Sequence, residues 1–401
     1  MTKTNLRHGI FLAPYHSMEE SPATCYQQDF ELLEWMDRLG FHEAWIGEHH
    51  SAGYEIISSP ELFIAAAAER TKRMMFGTGV VSLPYHNPLT AANRLIQLDH
   101  MTRGRIMVGL GPGALVSDAL MFGIDPSTQR DRLNDGLEII MRLFRGETVT
   151  KKSDWYNLVN ARLHLLPYQY PHPEIAVASA NTSSGGRLAG KYGLGMLCFV
   201  TGKAGFDALH VNWLAANEVA AENGVTMDAS RVRVVLPLHI AETRDKAREN
   251  VQHGLENFVK FANGINPGRY PAPAGKNLAD WFNEEKLGVI GTPDDAIAMI
   301  ESLIERHGEF GAFCQTGHDW ADWQQTRKSY ELYARYVMPH FAGTNHNRTE
   351  SFEWASKNAV EFQAKRSAAA AKFTAETTAS DAMRIEHVTD IVSLDNSSKR
   401  M

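Results

Sequence analysis

"AWIGEHHSAGYE", residues 44–55, carries an apolar run onto a carboxylate and two imidazoles. A strand buried in a parallel sheet reads as an unbroken apolar run. In barrels built from such strands, chemistry gathers where the strands end. Residues 42–47, "HEAWIG", therefore read as a strand, with Glu48, His49 and His50 at its functional end. The rest of the chain tests that reading.

The text around it alternates. Strands are predicted near 8–13, 42–47, 74–81, 105–110, 174–178, 194–200, 231–239 and 310–315. Helical spacing separates them, as in "YQQDFELLEWMDRLG" (26–40), closed by Gly40, and "SPELFIAAAAERT" (59–71), with a Ser cap and Pro in its first turn. Eight strands alternating with helices fit an α/β fold of the (β/α)8 TIM-barrel class better than an open sheet. Two stretches break the repeat: "WYNLVNARLHLLPYQYPHPE" (155–174), a small β excursion before strand five, and a Gly/Pro-rich loop over 263–288. Residues 320–341 read as a terminal helix. We expect a barrel over 1–342 and a polar, Ala/Thr-rich C-terminal extension over 343–401, partly helical or disordered.

Composition narrows the function classes. The 401 residues are 44% hydrophobic with a net charge of −7 and no dense basic run, which argues against nucleic acid as a partner. Cys25, Cys198 and Cys314 are far apart and form no metal or disulfide pattern. No segment approaches a membrane span and "MTKTNLRHGIFLAP" has too short an apolar stretch to read as a signal peptide, so a soluble, cytoplasmic protein is expected.

The predicted strand ends place Tyr15 and His16, Glu48 to His50, Gly79 to Pro84, Gly109 to Gly113, Ser179 to Thr182, and Gln315 to His318 at one mouth. A lone histidine there is often an ordinary hydrogen-bonded side chain; three together favour chemistry. His49 and His50 are adjacent and point to opposite faces of a strand, so no metal site is expected. "GLGPG" (109–113) lacks the spacing of a dinucleotide loop. "SANTSSGGR" (179–187) opens a helix with hydroxyls and a Gly pair, the makings of a phosphate site or of a simple N-cap. Arg130 and Arg132 begin the helix after strand four, beside it around the barrel, and a guanidinium suits phosphate.

Together "FLAPYH", "GFHEAWIGEHHSAGYEIISSPELFIAAAAERT", "GTGVVSLPYHNP", "LDHMTRGRIMVGLGPGA", "FGIDPSTQRDRL" and "IAVASANTSSGGRLAGKYG" resemble the bacterial luciferase-like flavin monooxygenases. The resemblance covers about residues 5–340 and is nearest to the limonene 1,2-monooxygenase type. It implies a two-component enzyme using reduced FMN, supplied by a separate NAD(P)H-dependent flavin reductase, and O2. Oxygen would be transferred through a C4a-peroxyflavin to a small hydrophobic substrate, such as a terpenoid, cyclic alkene or carbonyl compound. The family's catalytic histidine matches His49, and its phosphate arginine matches Arg130. Its helix-start serine matches Thr182, with Ser183 and Ser184 beside it and Ser179 at the strand end. Luciferase's reactive cysteine is replaced by Gly111, and a neighbouring phosphate arginine by Pro112. A cis bond between Gly79 and Val80 is implied under the flavin. His49, titrating near neutrality, would move a proton. Tyr15, His16, Trp45, Tyr85 and Trp320 would form the substrate rim and keep water away. A homo-oligomer is expected. Two other functions stay open: a deazaflavin-dependent oxidoreductase transferring hydride, and a non-catalytic flavin-binding subunit.

Overall fold

A computed structural model describes residues 6–398. Residues 1–5 and 399–401, the outer ends of the two expected regions, lie outside the described residues. The chain divides after Ala342 into two units.

In the first unit eight parallel strands close on themselves. They are β1 (Arg7–Leu12), β2 (Glu43–Ile46), β3 (Met75–Thr78), β4 (Ile106–Gly111), β5 (Ile175–Ser179), β6 (Gly195–Phe199), β7 (Val232–Ile240) and β8 (Ala312–Thr316). Each pairs with the next, and β8 returns to β1 with Ala312 opposite Arg7 and Thr316 opposite Phe11. Helices lie between successive strands, which is the (β/α)8 barrel that the alternation predicts.

Alternation along each strand sorts its side chains. Phe11, Trp45, Met107, Ala176, Leu197, Val235 and Cys314 point inward and fill the barrel. Their neighbours Ile10, Leu12, Ala44, Ile46, Val108 and Leu236 join the larger core beneath the helices. Trp45 dominates the interior, and two strand glycines make room for it. A Cβ at Gly77 would come within 2.4 Å of the indole, and one at Gly109 within 3.1 Å. The buried guanidinium of Arg233 lies 5.2 Å from the same ring and pairs with Glu43 and Glu174.

The structure differs from expectation in five places. The strand expected over 74–81 breaks after Thr78: the Gly79–Val80 peptide is cis, as the resemblance implies, and Val81–Ser82 resumes pairing beside the end of β4. The β excursion starts earlier than expected, as an antiparallel pair of Val149–Lys152 with Asn157–Ala161 around a turn at 153–156. The long loop contains a helix, Leu278–Glu284, whose N-cap Asn277 accepts from Asp280 N–H, and a short strand, Val289–Gly291, follows it beside β7. The terminal helix runs as Trp323–Leu332, a π-helical turn over Tyr333–Val337, and Met338–Ala342. Ser59 does not cap its helix; its hydroxyl donates to Glu61.

The second unit contains two helices, His346–Lys357 and Ala359–Ser398. Alanine-rich text favours this. Lys365–Glu361 and Lys372–Glu376 pair at i,i+4, and Thr374, Thr377 and Thr378 donate to carbonyls four residues back. No helix among the described residues is long and apolar enough to cross a membrane.

Candidate active site

The three polar residues that end β2 separate into two networks. Glu48 is buried. One of its carboxylate oxygens accepts Ser82 N–H at 2.8 Å, and the other meets His50 Nε2 at 2.9 Å and His86 Nε2 at 2.7 Å. Burial opposes this charge, but those partners hold the carboxyl down at about 2. Arg94 in turn donates to His86 Nδ1 at 3.1 Å. Glu48 therefore ties the end of β2 to the segment after the cis bond.

His49 turns the other way. Its Nδ1 lies 3.1 Å from Asp118 Oδ2, and its Nε2 lies 2.7 Å from Glu55 Oε2. Burial works against a charged ring, but the two carboxylates outweigh it and raise the imidazole to about 10. Both ring nitrogens are engaged by carboxylates, which favours the charged ring over the near-neutral base expected from the sequence. Asp118 also accepts His50 N–H at 3.1 Å and the Ser51 hydroxyl at 2.5 Å, so it fixes the whole turn after β2.

His49, Glu55 and Glu48 stand at one side of a cavity of about 450 Å³ at the C-terminal ends of the strands. Gly79, Val80, Phe11, Ala178, Leu197 and Phe199 give it an apolar body, and the Phe11 and Phe199 rings meet edge to face at 4.6 Å. Arg130, Ser179, Thr182 and Ser184 also line it. The helix Ser184–Tyr192 has no side-chain cap, so the simple N-cap reading of Ser183 and Ser184 is not realised. Thr182 and Ser184 instead hold each other's hydroxyls at 2.9 Å. Arg130 forms no ion pair among the described residues, whereas Arg132 pairs with Asp154 and lies over Trp155. The cavity thus combines a guanidinium and hydroxyls with an apolar body.

The luciferase-like monooxygenase family model matches residues 6–308. The chain belongs to this luciferase-like family. It is 45% identical over 336 residues to a limonene 1,2-monooxygenase of Rhodococcus erythropolis, covering 84% of this chain and 86% of that one. It is 41% identical over 371 residues to a 4-hydroxyprotoasukamycin monooxygenase of Streptomyces nodosus subsp. asukaensis, covering 90% and 98%. The FMN-bound oxygenating constituent of 3,6-diketocamphane monooxygenase from Pseudomonas putida, a type II Baeyer–Villiger enzyme, superposes with a TM-score of 0.70. That match is at 26% identity and covers 83% of this chain and 98% of that one. These relatives place this luciferase-like chain among the oxygenases.

The expected substrate rim is not where the sequence put it. Trp45 is fully buried inside the barrel, because its strand position points inward. Tyr15 stacks on Tyr54 at 4.5 Å and backs Phe258 from behind. His16 is held between Asp29 and Asp319, each at 3.1 Å, beside a separate small cavity. Tyr85 stacks on Phe122 and accepts from Gln129. Trp320 stacks on His318 at 4.0 Å and is fully buried. Gly111 lies beneath Val80, which a Cβ there would strike at 2.5 Å, so it supports the wall without lining it.

Other residues take the rim: Phe258 from the helix Leu255–Ile265, and Arg269 and Tyr270 from the loop that follows. Arg269 donates to Thr201 at 2.9 Å and lies 5.6 Å from the Tyr270 ring, which closes the loop over the mouth. The Gly/Pro-rich composition marked this loop but not its two inward residues. Glu55 sits within the opening stretch itself; Asp118 carried no signal that sequence spacing could show.

Proposed function

We propose that the protein is the oxygenase component of a two-component monooxygenase. It takes reduced FMN from a separate NAD(P)H-dependent flavin reductase and uses O2 to oxygenate a small hydrophobic substrate of terpenoid, cyclic-alkene or cyclic-ketone type. The observation that carries the reading is one cavity lined together by Arg130, which forms no ion pair among the described residues, by a helix start without a side-chain cap, and by His49 held between two carboxylates.

The residues present fit the cofactor. Arg130, Thr182 and Ser184 would hold its phosphate, and the Gly79–Val80 peptide with Val80 and Leu197 would support its ring. Thr316 lines the cavity with its hydroxyl oxygen buried and without a partner among the described residues, a place for a polar ring edge. When bound, reduced FMN supplies the two electrons that let one atom of O2 enter the substrate while the other leaves as water. Phe258, Tyr270 and Phe199 exclude water from the reacting region. His49 stabilises negative charge that develops on oxygen, from a position fixed by Asp118. The names of the limonene, protoasukamycin and diketocamphane enzymes support a cyclic, largely apolar substrate.

Anaerobic titration with reduced FMN, followed by oxygen and a panel of cyclic terpenes and ketones, tests the reading. Saturable binding and an oxygenated product are expected. Reduction of a substrate by reduced deazaflavin, with no oxygen consumed, would replace it with hydride transfer.

A further inference from the structure

We propose that His49 and Glu55 act as one unit, with Glu55 as the cavity-facing carrier through which the reaction's proton reaches an oxygen atom in the cavity, and Asp118 as the positioning residue behind it. The inference rests on the oxygenase reading and adds a residue to it.

The geometry leaves His49 no free ring N–H. Asp118 takes Nδ1 on the buried side, and Glu55 takes Nε2 on the cavity side. An imidazole so placed cannot reach a substrate directly without breaking one of these bonds. Glu55 does line the cavity, and its side chain keeps a quarter of its surface exposed. Its position is fixed: Tyr54 beside it stacks on Tyr15, and Ser51 at the start of the turn is bonded to Asp118.

Charged groups surround the pair, Arg269 at the mouth of the same cavity among them. Asp118 comes from the helix Val116–Met121. Glu48 is occupied by His50 and His86, with Arg94 behind His86. Tyr85 lies near Asp118, and Arg130 lines the same cavity.

The proton step balances without an oxidant. The His49 Nε2–H bond breaks, the proton crosses the Glu55 carboxylate, and an O–H bond forms on the cavity oxygen. The imidazole left neutral regains a proton from solvent. The two carboxylates on its nitrogens favour the charged form of His49, so its proton passes to an oxygen that becomes strongly basic as the reaction proceeds.

The test has two readouts. Nitrogen NMR of the ligand-free protein follows His49 through a pH titration in the wild type, Glu55→Gln and Glu55→Asp. The fraction of oxygen appearing in product instead of hydrogen peroxide is then measured with reduced FMN and substrate from pH 6 to 9. Glu55→Gln should move the His49 titration toward acid by about one pH unit or more and cut coupling about tenfold, most strongly at high pH. Glu55→Asp, which keeps the charge but shortens the reach, should fall between. An unchanged titration, or unchanged coupling at every pH, would overturn the proposal. Absence of product from the wild type itself would count against the oxygenase reading, and the titration would still decide whether the pair exists.

Discussion

Asp118 Oδ2 and His49 Nδ1, 3.1 Å apart, bind the turn after β2 to the helix after β4. The side chain of Asp118 is 1% exposed, so this carboxylate depends on the histidine for its countercharge.

Removing His49 therefore does more than trim a strand end. His49→Ala leaves Asp118 buried and Glu55 beside it without a cation. Breaking a buried pair costs roughly 3–5 kcal/mol, and the bonds Asp118 keeps to His50 and Ser51 put the loss at the lower end, about 3 kcal/mol. Urea denaturation should show that loss. His49→Ala/Asp118→Ala should be less destabilised than the sum of the single variants.

Alkaline pH should weaken the fold. His49 and His16 are both raised from 6.5 to about 10, each against burial by two carboxylates. A folded-state value above the unfolded one means that the stabilisation is complete below about 6.5 and is lost as pH rises through 10. Unfolding free energy should decline by on the order of a few kcal/mol across that window. At the acid end Glu48 behaves oppositely: its contribution is present above about 4.5 and is lost as pH falls through about 2. Thermal unfolding across a pH series reads both limbs.

Arg130→Ala should weaken reduced FMN binding about 10–100-fold, the range for losing a charge-assisted hydrogen bond. Riboflavin has no phosphate and should bind the variant and the wild type alike. Calorimetry with both ligands separates the two, and an equal loss would make Arg130 structural.

Gly77→Ala should cost about 1–3 kcal/mol, because a methyl there meets the Trp45 ring and the filled barrel has little room to shift. Gly40→Ala has open space around its Cβ and strain only from its positive φ of 91°, so it should cost about 1 kcal/mol. Chemical denaturation of the two variants distinguishes the crowded glycine from the turn glycine.

The barrel is legible in the sequence because each strand is a short apolar run ended by a small or polar residue. The hydroxyl-rich helix start that lines the cavity is legible too, from the serines, threonine and glycines of 179–187. What stays hidden depends on direction and distance. Trp45 reads as a rim residue until its inward register is known. The helix carrying Phe258 and the loop carrying Arg269 cover the mouth from a region far along the chain. The pairing of His49 with Asp118 spans 69 positions and no periodicity announces it.

The central claim is that one atom of molecular oxygen enters the substrate at the expense of reduced FMN. The most direct measurement supplies reduced FMN and ¹⁸O₂ to the protein with a cyclic terpene or ketone and weighs the product. The account predicts a single ¹⁸O atom per product molecule, with yield lost in His49→Ala. Product that carries oxygen only from water, or a substrate merely reduced by a deazaflavin, would contradict it.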